Sequence, residues 1–110
     1  PYLHSPFAMI MLDIKTKALF TSDLFGGISK VWSLFAGDGF IEAMEAWHRM
    51  VMPSGDILKR CMIGLEKLEI EHILPQHGSI IEGDDIKKAI DCLKSLKCGV
   101  DVIEGVKLYE

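Results

Sequence analysis

The chain has 110 residues, of which 49% are hydrophobic and 25% charged, enough for one small core under a solvated surface. Twelve Lys and Arg stand against sixteen Asp and Glu, a net charge of −4; with no basic stripe interleaved with aromatics, no nucleic-acid partner is expected. No apolar run reaches the roughly eighteen residues of a bilayer span and no signal-peptide pattern opens the chain, so no membrane partner is expected either.

Two strands come first, over Phe7 to Asp13 and Lys17 to Ser22, joined by a turn around Ile14-Lys15-Thr16. The first is nearly all apolar and reads as buried on both faces. As an antiparallel hairpin, the start of one lies beside the end of the other, which puts His4 and Asp23 at the same end. Leu24 to Gly39 is apolar but punctuated by Gly26-Gly27 and Gly37-Asp38-Gly39, and reads as loop. Ile41, Met44, Trp47/His48 and Val51 recur at helical spacing over Phe40 to Met52, and Pro53 stops that helix.

Ser54 is the expected N-cap of a second helix carrying Ile57, Leu58, Cys61, Met62, Leu65 and Leu68. Ile70 to Leu74 reads as a short strand ended by Pro75. Asp84 or Asp85 caps a third helix with Ile86, Ile90, Leu93 and Leu96 on one face and Gly99 as its stop. Val100 to Tyr109 has room for one more short strand. The order strand, strand, helix, helix, strand, helix belongs to an α/β or α+β layered domain, with residues 1–110 as a single unit.

Cys61, Cys92 and Cys98 are an odd set without regular spacing, which argues against a disulfide framework and fits a reducing cytoplasm. Cys61 and Cys92 fall on apolar helix faces and read as buried thiols. Cys98, at a helix end before Gly99, is the one candidate for reactivity. His72 reads as solvent-facing, and Glu42, Glu45, Glu66, Glu69 and Glu71 as an acidic surface. The six Met are core filler, with Met9, Met50 and Met52 candidates to line a dry pocket. Gly37-Asp38-Gly39 lacks the Lys and helix of a phosphate loop, and no elbow motif supports a Ser nucleophile.

Three residues carry the chemistry. His4 precedes the first apolar run, Asp23 closes Ala18-Leu19-Phe20-Thr21-Ser22, and His77 follows Ile73-Leu74-Pro75-Gln76 and precedes Gly78. Imidazole, carboxylate and imidazole at strand ends are ligand types that suit zinc or non-haem iron.

The run His4-Ser-Pro, Leu19-Phe20-Thr21-Ser22-Asp23-Leu-Phe-Gly-Gly27 and Pro75-Gln76-His77-Gly78 resembles the second half of a metallo-β-lactamase-like domain. It looks most like the di-iron branch, found in flavodiiron oxygen or nitric-oxide reductases and in related oxygen-binding sensors. Trp47 to Leu65 resembles the helical segment between that Asp and the last His, and His48 resembles a position near the site in the sensor branch, although taken alone it reads as a half-exposed helix histidine. The upstream cluster of His, Glu and Asp ligands of that family has no counterpart here. The chain therefore reads as the C-terminal part of the domain, and its opening at Pro1 rather than Met suggests an engineered start or a proteolytic product rather than a natural start.

The resemblance implies half of an αββα sandwich, a sheet with helices on its outer face and the metal at the rim where two sheets meet. It implies Asp23 as a bridging carboxylate, with His4 and His77 each on one iron, His48 in support, and oxygen or another diatomic gas as ligand. Reduction of that gas would make the complete protein an oxidoreductase drawing electrons from a flavin on a separate domain; the isolated chain is expected to be inactive. A zinc hydrolase of the same superfamily and a metal-free structural fragment are the alternatives. Phe7, Met9 and Met11 alternate onto one side of the first strand and Ala8, Ile10 and Leu12 onto the other. Helices within this chain can cover only one side, so the missing N-terminal half or a homo-oligomer partner is expected on the other.

Overall fold

The computed structural model describes residues 2–102. Its elements are β1 (Met11–Asp13), β2 (Ala18–Ser22), α1 (Phe40–Val51), α2 (Gly55–Leu65), β3 (His72–Pro75), β4 (Ile81–Glu82) and α3 (Asp84–Ser95), followed by a 3₁₀ turn, Val100–Val102. The four strands form one sheet in the order β1-β2-β3-β4. β1 and β2 are the antiparallel hairpin, β2 and β3 run parallel, and β3 and β4 are antiparallel. A parallel pair needs a long crossover, and α1 and α2 supply it. The expected layered α/β architecture is therefore the one observed.

Register sorts the side chains. Leu12, Leu19, Ile73 and Ile81 lie opposite one another across the four strands. The last three are fully buried and join Met44, Leu58, Met62, Ala89 and Leu93 in one core. The neighbouring row, Met11, Phe20 and Leu74, faces the other way. No described element covers it: Met11 is 65% exposed and Phe20 46%.

The first strand is shorter than its apolar run. Ser5 accepts the Ala8 N–H on its carbonyl at 3.1 Å and the Phe7 N–H on its hydroxyl at 3.2 Å. That local turn takes residues 5–8 out of the ladder. Burial on both faces does not occur: Phe7 is 89% exposed and Met9 77%.

The helix boundaries follow local chemistry with two exceptions. Ser54 caps α2 as expected, its Oγ accepting the Ile57 N–H at 3.2 Å, and Asp101 accepts the Gly55 N–H at 2.8 Å. The cap of α3 is Gly83, not Asp84 or Asp85; the two carboxylates sit in the first turn, where the helix dipole favours them. α3 also ends at Ser95, before Gly99. Gly99 instead adopts φ 59° and bridges to Ser54, a place where any Cβ would run into the Pro53 main chain. The proposed last strand begins as the 3₁₀ turn, and its remainder lies outside the described residues.

The cysteines differ from expectation. Cys61 and Cys92 are half-buried, and Cys98 is the fully enclosed one. Burial pushes its thiol above the ordinary range, so the thiolate that reactivity needs is disfavoured.

Candidate metal centre

Asp23 sits in a turn fastened from several sides. Thr21 donates its hydroxyl to the Leu24 carbonyl at 2.6 Å, and Leu24 N–H returns to the Thr21 carbonyl at 3.0 Å. The Asp23 carbonyl accepts the Gly26 N–H at 3.2 Å and the Trp47 indole N–H at 2.8 Å. Phe25 adopts φ 66°, a left-handed conformation that costs a bulky residue roughly 1 kcal/mol or more.

His48 holds that conformation in place. It is fully buried, not half-exposed. The Phe25 N–H donates to its Nε2 at 3.0 Å, so Nε2 carries the lone pair and Nδ1 the proton, which goes to the Met44 carbonyl at 2.6 Å. Burial drives its pKa down to about 4, with the Met44 carbonyl opposing the shift. Within α1, Trp47 and His48 are adjacent; packing against the Asp23 turn turned His48 inward, and sequence periodicity could not separate the two. His48 acts on the site through the main chain of the turn.

The turn carrying His77 is bound to the first turn backbone to backbone. Gly27 N–H donates to the His77 carbonyl at 3.0 Å, and Gln76 N–H to the Ser22 carbonyl at 2.7 Å. Gly78 adopts φ 117°, and a Cβ there would lie 2.8 Å from the Gly27 nitrogen. Glycine at 26, where a Cβ would lie 2.7 Å from the His77 carbonyl oxygen, and at 78 lets the two strand ends meet this closely.

The result is a convergence of the three residues. His4 Nε2 lies 2.8 Å from Asp23 Oδ2, and His77 Nε2 lies 3.6 Å from Asp23 Oδ1. The two carboxylate oxygens face different imidazoles. Ligand atoms that share one metal at bonds of about 2.1 Å stand roughly 3–3.5 Å apart; the His4 pair is closer than that, at hydrogen-bonding distance, and the His77 pair slightly wider. Among the described residues no three His, Cys, Asp or Glu side chains gather around a single ion position. Each oxygen of the Asp23 carboxylate thus has one imidazole beside it. The donor types suit iron, and the number falls short of a filled coordination shell.

A family profile described as "ODP family beta lactamase" matches residues 1–78. The chain belongs to this family. Among solved structures it is similar to the chemotaxis sensor ODP in a peroxy diiron species, at 26% identity and TM-score 0.86, covering 91% of this chain and 44% of that one. The apo state of the chemotaxis sensor ODP from T. denticola gives 27% identity and TM-score 0.86, over 94% and 44% of the two chains. Rubredoxin oxygen:oxidoreductase from Desulfovibrio gigas shares the fold, at 22% identity and TM-score 0.72, over 86% and 25%. No curated protein matches. The expected metallo-β-lactamase-like fold of the di-iron branch is borne out, and the chain spans less than half the length of the ODP structures.

The surroundings of the centre in this family member correct one further expectation. A cavity of about 380 Å³ opens beside His77, lined by Phe25, Trp32, Phe40, Met44 and Trp47 among others. Met9, Met50 and Met52 do not line it: the first two are exposed and the third is buried in the core. His72 is half-exposed and paired with Glu82 at 3.2 Å, remote from Asp23 along the sheet. Trp47 and the Gly26-Gly27 backbone contribute to the site and were not singled out by residue type, because neither carries a ligand atom.

Proposed function

We propose that His4, Asp23 and His77 are metal ligands, and that this chain contributes them to a di-iron centre that binds oxygen or another diatomic gas. The observation that carries the reading is the Asp23 carboxylate, with one oxygen turned to each imidazole. That is the placement a carboxylate needs to join two metals. The two most identical of the solved structures above belong to a chemotaxis sensor, and one of them is a diiron species, which favours sensing over reduction. When bound, the iron pair would supply affinity for the gas. The protein's part is to hold the ligands: His48 and Trp47 fix the Asp23 turn, and the Gly27–His77 hydrogen bond fixes the second imidazole against it.

The remaining ligands belong, in this reading, to the portion of the relatives that the chain does not span, and that portion or a second copy covers the open sheet face. The free thiols fit a cytoplasmic setting. Metal analysis tests the assignment. The chain alone should hold iron weakly, well below two atoms per chain, because affinity falls with missing ligands. Supplied with the rest of the domain it should hold two, and Asp23→Ala should abolish both. Stoichiometric zinc in place of iron, or iron retention by Asp23→Ala, would overturn the proposal.

A further inference from the structure

One side chain touches all three candidate ligands. The Trp47 indole N–H donates to the Asp23 carbonyl at 2.8 Å. The same ring meets His4 edge-on, with centroids 6.2 Å apart, and lies 5.7 Å from the His77 ring at a tilt of 59°. The backbone makes room for it: a Cβ on Gly26 would lie 3.0 Å from Trp47 Nε1 and 2.7 Å from the His77 carbonyl oxygen. Glycine at 26 is therefore what allows the indole, the Asp23 turn and the His77 turn to share one space.

An exposed imidazole beside a carboxylate gains little on its own, because water competes and the ring must give up its torsional freedom. His77 is more than half exposed at its side chain. Some rigid surface has to limit where the two imidazoles go, or both would crowd the same carboxylate oxygen or drift into solvent. A half-buried aromatic ring that contacts each of them supplies that surface, and its N–H pins the main chain from which the carboxylate projects.

We propose that Trp47 is a positioning residue of the centre, spacing His4 and His77 onto separate oxygens of the Asp23 carboxylate while anchoring the Asp23 main chain. The inference rests on the metal-site reading given above. It differs from a packing role in one respect: its loss changes ligand placement with little change in the stability of the fold.

The experiment uses the intact protein and Co²⁺ alone as the probe, followed by visible d–d absorption, beside NMR of the metal-free protein. Trp47→Phe keeps an aromatic ring and removes the N–H. It should weaken Co²⁺ binding by about tenfold or more and shift the d–d bands, with the melting temperature close to native. Affinity and spectrum equal to native overturn the proposal. Should the native protein take up no Co²⁺, the metal reading fails and the NMR decides this one: nuclear Overhauser contacts from the His4 and His77 rings to the Asp23 β-protons, lost in Trp47→Phe, support it, and contacts retained in the variant overturn it. Should Trp47→Phe not fold, replacement of Trp47 by its sulfur isostere benzothienylalanine, which has the ring shape and no N–H, answers by the same two readouts.

Discussion

The two faces of the sheet are built from similar residues and have opposite fates. On one face Leu19, Ile73 and Ile81 disappear beneath α1, α2 and α3; on the other Met11 and Phe20 stay open. Leu19 and Phe20 are chain neighbours, both large and apolar, and the pleat alone separates them. Apolar content therefore does not define the core of this protein. What defines it is which row of the register meets the helices that the same chain carries. The open row is left uncovered by the described residues, and the candidate centre lies at the end of β2 and β3, between the two turns that follow them.

That contrast can be broken most directly with a pair of substitutions. Leu19→Ala should cost about 2–5 kcal/mol, since it leaves a cavity in a closed core. Phe20→Ala, one residue on, should change the stability of the isolated chain, diluted until it is a monomer, by no more than about 0.5 kcal/mol. Denaturant titration of both checks it. Equal losses in the monomer would mean that the chain covers this face itself.

The next effect concerns His48, the one titratable side chain built into the closed side of the site. Its folded pKa of about 4 lies below the ordinary value of 6.5. Above pH 6.5 the histidine is neutral in both states and the burial costs nothing in protons. Between pH 6.5 and 4 the unfolded chain binds a proton that the folded one refuses, so stability falls as pH falls, by about 3 kcal/mol across the window. His48→Gln, which can accept from Phe25 N–H and donate to the Met44 carbonyl, should flatten that slope. His48→Ala should cost about 2–4 kcal/mol at neutral pH, from a stranded buried N–H together with a cavity. Urea melts at several pH values distinguish the three proteins.

The open row itself is sharpened by size. The isolated chain should self-associate and bind a hydrophobic dye, because Met11 and Phe20 share an open row of the sheet and Phe7 and Met9 are exposed in the segment that leads into it. Met11→Ser combined with Phe20→Ser should shift sedimentation toward the monomer and reduce the dye signal several-fold. A native chain that sediments as a monomer and leaves the dye dark would show that this face needs no cover. The smallest effect expected is at the cysteines. Cys98 should react with a thiol reagent on the order of a hundredfold slower than Cys61, because its burial has to be undone first.

Much of this molecule was legible along the chain. The hairpin, the three helices and the Ser54 cap follow from periodicity and turn chemistry, which are local. So does the placement of Asp23 and His77: strand ends are marked by the residues around them, and a parallel crossover brings those two ends to one edge, whereas His4 reaches them from the turn ahead of β1 and not from a strand end. β4 escaped because two residues carry no period, and it exists only through pairing of Ile81 with Ile73 and Glu82 with His72. The length of β1 escaped because Ser5 satisfies the backbone of residues 7 and 8 before the ladder can.

The amino-acid sequence by itself determined the layered fold, the family and the three side chains that carry ligand chemistry, since each of these depends on spacing and residue type. Tertiary structure alone decided which of Trp47 and His48 faces the turn from within, that Gly99 serves a bridge rather than a helix end, and that Cys98 is sealed. Those outcomes depend on how a helix is rotated and how closely two backbones approach. Rotation and approach are set by the packing of segments far apart in the chain, and no local pattern encodes them.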